Sequence, residues 1–245
     1  MGDDRRPDIA ISTEVMHEIM KRVEADYHDA DTPGQRRYIT RAGLWFISSF
    51  LGSLRGEEVP RLLLKYFVDL NKEAYESRIP HCVLPLYGRF KNDGGIARCY
   101  LFRIVCISKS GLDMKKWVDR AIELEKDGKN KFLFSTMNGK KERGRVYESY
   151  LFSKIKSIQV EVKGLVARRL VVDEAYGIGR SFRRGSVTEA GNAPNDECDT
   201  DDIKRNNRWR TENSAGTRQA SLDMLQLYTD TQNSVKADLK FSGCL

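Results

Sequence analysis

Between residues 82 and 107 the sequence abandons the spacing that it keeps elsewhere, and this change limits the fold most sharply. Cys82–Phe90 is apolar and of extended type, Cys99–Ile107 is apolar and β-branched, and Asn92-Asp93-Gly94-Gly95 between them is a concentrated turn signal. Two such runs around such a turn read as a β-hairpin with a loop of several residues. On both sides of the hairpin, apolar residues recur at helical intervals. The expected architecture is therefore mainly α with one small antiparallel sheet, an α+β arrangement.

The helical stretches can be placed individually. Ser12 or Thr13 caps a first helix that runs to about Ala25, with Val15, Ile19 and Val23 on one face. Asp26–Gln35 reads as a polar loop, and a second helix is predicted from Arg36 to Leu51. Gly52-Ser53 ends it, and a third helix is predicted from Leu54 through Tyr66. Beyond the hairpin, Leu112–Lys126 and Tyr147–Val162 have helical spacing, and Lys131–Phe134 is a short buried piece before an Asn138-Gly139 turn. The last third is polar and glycine-bearing. Gly177–Glu189 leads into a helix, Gly191–Asp199 is a loop, Asp201–Asn206 opens another helix, and Ser221–Thr229 is a short one. The chain contains no internal repeat. It reads as one unit over residues 1–245, with a flexible start over 1–11 and a tail over 231–245.

Composition narrows the chemistry. The three histidines, His17, His28 and His81, fall on a helix surface, in the Asp26–Pro33 loop and at a strand start, so a Ser-His-Asp or two-histidine metal site has no natural members. The five cysteines include no C-x-x-C pair and read as reduced thiols. No segment approaches membrane-spanning length, and no secretory signal is visible. The expectation is an intracellular protein, nuclear in a eukaryote and in the cytoplasm or nucleoid of a bacterium, with no membrane association. A net charge of +7 leans toward a polyanionic partner. The sequence lacks a phosphate-cradling glycine loop with Lys-Ser/Thr, and no carboxylate cluster suggests a metal or other cofactor.

Against that background, four elements stand in a particular order. Leu54-Arg55-Gly56-Glu57-Glu58 places a carboxylate three residues after an arginine at the start of the predicted third helix, where Glu58 can hold the Arg55 guanidinium. Arg180-Ser181-Phe182-Arg183-Arg184-Gly185-Ser186 is a second basic box. Asn207-Arg208-Trp209-Arg210 follows, and Leu227-Tyr228-Thr229-Asp230 lies near the end. Singly, each has an ordinary reading: Arg55 and Arg183-Arg184 as surface charge, Trp209 and Tyr228 as packing residues.

In this order the elements resemble the signature of the tyrosine recombinases, the phage-integrase-like site-specific DNA recombinases. The resemblance covers roughly residues 12 to 235. It implies that Arg55 with Glu58 forms the first arginine box, and that Lys91, at the end of the first hairpin strand, is the hairpin lysine. Arg180 and Arg183 then match the basic-x-x-Arg box, Trp209 the His/Trp position, and Tyr228 the nucleophile. Lys109, in the turn Ser108-Lys109-Ser110-Gly111, is the alternative lysine.

The chemistry that the resemblance implies explains these residue types. A tyrosine oxygen attacks a DNA phosphodiester and expels the 5′ oxygen, leaving a 3′-phosphotyrosine. Arginine forks stabilise the charge that builds on the phosphate, the lysine protonates the leaving oxygen, and Trp209 donates its indole N–H. Two features depart from the family pattern. Arg180 stands where the family usually has histidine and is too basic to accept a proton. The interval from Trp209 to Tyr228 is lengthened by the polar segment Thr211–Gln219, which points to a divergent, mobile-element-like branch.

The implied partners are double-stranded DNA and further copies of the chain, self-associated into a synaptic tetramer on DNA. The helical DNA-clamping domain that usually precedes the catalytic one in this family is expected to be absent here. A type IB topoisomerase-like enzyme and a non-catalytic DNA-binding relic of a mobile element are the other readings.

Overall fold

Helix α1 (Thr13–Asp29) begins where the sequence supplies a cap: Ser12 is extended, and its Oγ accepts the Val15 N–H at 3.4 Å. Val15, Ile19 and Val23 are buried as their spacing predicts. The helix runs four residues past the expected Ala25, so His28 belongs to its last turn, where it bonds Glu24 at 2.9 Å. Helix α2 (Pro33–Leu51) likewise starts before the expected Arg36. Thr32 and Gln35 form a reciprocal capping box with Pro33 at the first helical position, where its missing N–H costs nothing. The predicted loop Asp26–Gln35 is thus reduced to a short link.

The computed structural model describes residues 10–88, 97–125, 130–136, 145–161, 180–194, 197–206 and 239–245. Among these the architecture is mainly helical with a two-stranded antiparallel sheet. The remaining elements are a 3₁₀ turn (Val59–Arg61), α3 (Phe67–Tyr75), β1 (His81–Gly88), β2 (Arg98–Val105), α4 (Met114–Glu125), α5 (Arg145–Glu161), α6 (Ser181–Asn192) and α7 (Thr200–Asn206). The Asn92–Gly95 turn, the Asn138-Gly139 turn and the predicted Ser221–Thr229 helix lie outside the described residues.

The predicted third helix does not form. Leu54–Tyr66 instead holds a turn, the 3₁₀ element and a short extended piece. Pro60 lacks the N–H that a helix interior needs, and Leu62–Leu64 is used elsewhere. Leu63 N–H donates to the Pro85 carbonyl at 2.7 Å, Leu64 N–H to that of Lys131, and Leu133 N–H to that of Leu62. Further along β1, the Asn71 amide bonds both the N–H and the carbonyl of Val83 at 2.8 Å. The edge of β1 away from β2 is thereby closed, which removes an unpaired strand edge. Register within the hairpin runs from His81 opposite Val105 to Gly88 opposite Arg98.

Helix α2 is the axis of the core. Every residue from Ile39 to Leu51 is buried, and α1, α4 and α6 all pack on it. Gly43 admits the Trp117 indole of α4 so closely that an added Cβ would lie 2.4 Å from the ring. The one charged residue in that buried stretch, Arg41, is matched by Glu125 of α4, with nitrogen–oxygen distances of 2.8 and 3.0 Å, and it also donates to the Ser135 carbonyl. Both chain ends described here join the core. Ile11, in the stretch read as flexible, is fully buried, and within the stretch read as a tail residues 239–243 are helical, with Phe241 buried. Among the described residues no helix is long and apolar enough to cross a membrane.

Burial of Arg41 makes its partner costly to remove. Glu125→Ala leaves a desolvated guanidinium without its carboxylate and is expected to cost about 3–5 kcal/mol in urea unfolding. A loss below about 1 kcal/mol would show that the pair does not hold α2 to α4.

Candidate functional site

The end of α2 builds the first half of the site. Gly52 closes the helix with its N–H on the Ser48 carbonyl at 3.0 Å, and Ser53, with its N–H on the Phe50 carbonyl, takes a left-handed conformation with φ of 49°. The chain then reverses into the turn that carries Arg55. Glu58 is the turn's internal partner: its carboxylate accepts the Arg55 backbone N–H at 2.9 Å and lies 3.4 Å from the Arg55 guanidinium. The Glu58 N–H returns to the Arg55 carbonyl at 2.8 Å. The expected pairing is present, but it comes from a tight turn rather than from one face of a helix. The Glu58 side chain is 2% exposed and that of Arg55 26%, so the acid is sunk beneath a partly open cation.

Helix α6 builds the second half. Phe182 in its first turn is buried and stacks on Phe46 of α2, with ring centroids 5.4 Å apart. Further along, Gly185 lets the backbone of Ile11 cross the helix; an added Cβ would fall 1.8 Å from the Ile11 carbonyl oxygen. Ile11 N–H donates to the Ser181 carbonyl at 3.1 Å, fixing that crossing. With one side of α6 committed to Phe182, Gly185 and Ala190, Arg183 turns toward the end of α2. Its Nη1 donates to the Ser53 carbonyl at 2.6 Å. Arg180 and Arg184 are both exposed, Arg180 standing at the N-cap with no side-chain capping bond.

Three of the residues singled out in the sequence, Arg55, Glu58 and Arg183, are therefore brought to the junction of α2 and α6 through Ser53 and the turn that follows it, and Arg180 stands at the start of α6. Lys91, Trp209 and Tyr228 lie outside the described residues. Lys109 follows β2, at the end of the hairpin opposite the 89–96 connection. Its ammonium pairs with Glu197, and it lines a shallow cleft with Glu189 and Asn192, at the far end of α6 from Arg183. Asp199 caps α7 by accepting the Asp202 N–H at 2.8 Å, and Asp202 pairs with Lys240. Among the described residues no group of acidic, histidine and cysteine side chains is gathered as for a metal ion.

Ser53 is the member of the site that the sequence reading missed. Its contribution is a backbone carbonyl, and a Gly-Ser pair ending a helix signals only a stop. No protein-family model matches the chain, and no curated protein is similar to it at a significant level.

Because Glu58 is buried under Arg55, its removal tests how the turn is held. Glu58→Ala leaves the Arg55 N–H without its acceptor and is expected to cost about 1–3 kcal/mol in urea unfolding, with Glu58→Gln costing less. Equal stability of Glu58→Ala and the natural chain would show that the carboxylate does not organise the turn.

Proposed function

We propose that the chain breaks and rejoins DNA strands through a 3′-phosphotyrosine intermediate, with Tyr228 as nucleophile, as a tyrosine recombinase catalytic domain does. The observation that carries this reading is the Arg183–Ser53 hydrogen bond, which joins the two arginine boxes across 130 positions of sequence. A surface arginine has no need to reach the loop of one particular distant arginine. Two guanidinium groups presented from adjoining elements, one backed by a buried acid and one by a carbonyl, suit a phosphodiester whose charge rises in the transition state.

The roles follow from the chemistry. The Tyr228 oxygen attacks phosphorus in line, the bond to the 5′ oxygen breaks, and the bond energy is kept in the phosphotyrosine, so rejoining needs no nucleotide cofactor. Arg55 and Arg183 grip the non-bridging oxygens. Arg180, exposed at the start of α6, adds a phosphate contact and serves as no base. Trp209 donates its indole N–H. Lys91 supplies the proton to the leaving oxygen; the pairing of Lys109 with Glu197 beyond the far end of α6 favours Lys91 over it. The substrate is duplex DNA, and recombination requires a synaptic tetramer of chains on two sites.

Relaxation of supercoiled plasmid in excess EDTA tests the reading. The natural chain should relax the plasmid and Tyr228→Phe should not. Arg55→Ala and Arg183→Ala should each slow relaxation by about 10²-fold or more, the scale for losing one transition-state donor. Arg184→Ala, at an exposed position that neighbours Arg183 on the helix, should slow it far less, because successive side chains leave a helix in different directions. Relaxation by the Phe variant, or equal losses at Arg183 and Arg184, would overturn the assignment, and binding without relaxation by the natural chain would favour the DNA-binding relic.

A further inference from the structure

We propose that Ser53 is a positioning residue whose backbone, through its left-handed conformation, holds Arg183 in place beside the Arg55 turn. The inference rests on the reading of Arg183 as a phosphate ligand, but its structural part stands without DNA.

A positive φ is uncommon for a residue with a side chain, and the position just past a helix C-cap is where glycine normally supplies it. Here the glycine stands one residue earlier. Gly52 has a negative φ, −91° with ψ −2°, and lies so close to the Ser48 carbonyl and the Ile104 side chain that an added Cβ would sit 2.8 and 3.1 Å from them. Gly52 is thus required for closeness and Ser53 carries the reversal. Ser53 itself is 1% exposed, so the surrounding core fixes its conformation.

The reversal has a directional result. Its carbonyl, instead of continuing along the axis of α2, accepts the Arg183 Nη1 at 2.6 Å, a short bond consistent with a charged donor. The residues that follow, Leu54 and Arg55, enter the turn closed by Glu58. One peptide therefore sets both arginines: it anchors the guanidinium of one and begins the loop of the other. The role assigned to Ser53 is that of its backbone carbonyl.

Three substitutions separate these roles. Ser53→Gly adopts the left-handed conformation freely, Ser53→Ala retains it about as well as serine, and Ser53→Val opposes it through its branched Cβ. The first measurement is hydrogen exchange of ¹⁵N-labelled arginine side chains by NMR, on the full chain without DNA. The Arg183 guanidinium should exchange at least about ten-fold more slowly than that of exposed Arg78 in the natural chain, and in the Gly and Ala variants. In Ser53→Val that protection should vanish. The second is single-turnover cleavage of a nicked duplex. Ser53→Val should lose about 10- to 100-fold in rate relative to the Gly and Ala variants with its DNA affinity retained, a loss on the scale of one misplaced donor.

Loss of Arg183 protection in Ser53→Gly or Ser53→Ala would overturn the proposal, since it would assign the effect to the hydroxyl. So would exchange at Arg183 as fast as at Arg78 in the natural chain. These arms decide the matter even if Ser53→Val fails to fold. A natural chain that protects Arg183 but cleaves no DNA would remove the catalytic reading and leave the anchoring role of Ser53 in place.

Discussion

The burial of helix α2 is the constraint on which the rest of the molecule depends. A helix closed to water along Ile39–Leu51 must be covered on all sides, and α1, α4 and α6 supply that cover. Such a helix has little freedom to slide or rotate, because Gly43 is locked against the Trp117 ring and Arg41 is bound to Glu125. Burying Arg41 carries a desolvation cost that a single short ion pair only offsets. What the pair adds is orientation, since a guanidinium that reaches both Glu125 and the Ser135 carbonyl admits few alternative packings. A rigid α2 delivers a fixed end, and the candidate site is built on that end.

Helix α6 is aligned with that end by steric and aromatic contacts. Phe182 stacks on Phe46 and Gly185 accepts the Ile11 backbone, so neither sliding nor rotation of α6 is free. Arg183 is the residue that this docking aims at Ser53. Electrostatics then allow two cations in adjoining elements. The buried Glu58 carboxylate offsets Arg55, and the Ser53 carbonyl dipole faces Arg183. Arg55 remains about a quarter exposed, at 26%, and Arg183 is half-buried.

Much of this was legible in the sequence. The switch from helical to extended spacing at residues 82–107 located the hairpin, and apolar periodicity located α1, α2, α4 and α5, while Gly177–Glu189 reads only as leading into the helix that forms over Ser181–Asn192. The errors have local physical causes. The Thr32-Pro33-Gly34-Gln35 segment resembles a loop because proline and glycine dominate it, yet proline at the first helical position starts a helix. Leu54–Tyr66 shows helical spacing, but Pro60 and the need of β1 for an edge partner override it, which is a tertiary demand that periodicity cannot reveal. The Arg55–Glu58 pair was found for the wrong geometric reason: a separation of three residues serves a tight turn as well as a helix. The role of Ser53 could not be read, because a carbonyl is common to all residues and only the backbone conformation aims it.

The central claim is that the junction of α2 and α6 is half of a phosphodiester-cleaving site completed by Tyr228. Covalent capture tests it most directly. The chain is incubated with a nicked suicide duplex from which the cleaved end escapes, the DNA is digested to a short remnant, and the modified peptide is sequenced by mass spectrometry. The account predicts a remnant joined through its 3′ phosphate to Tyr228. A remnant on another residue, or no covalent product from a chain that binds the duplex, would contradict it.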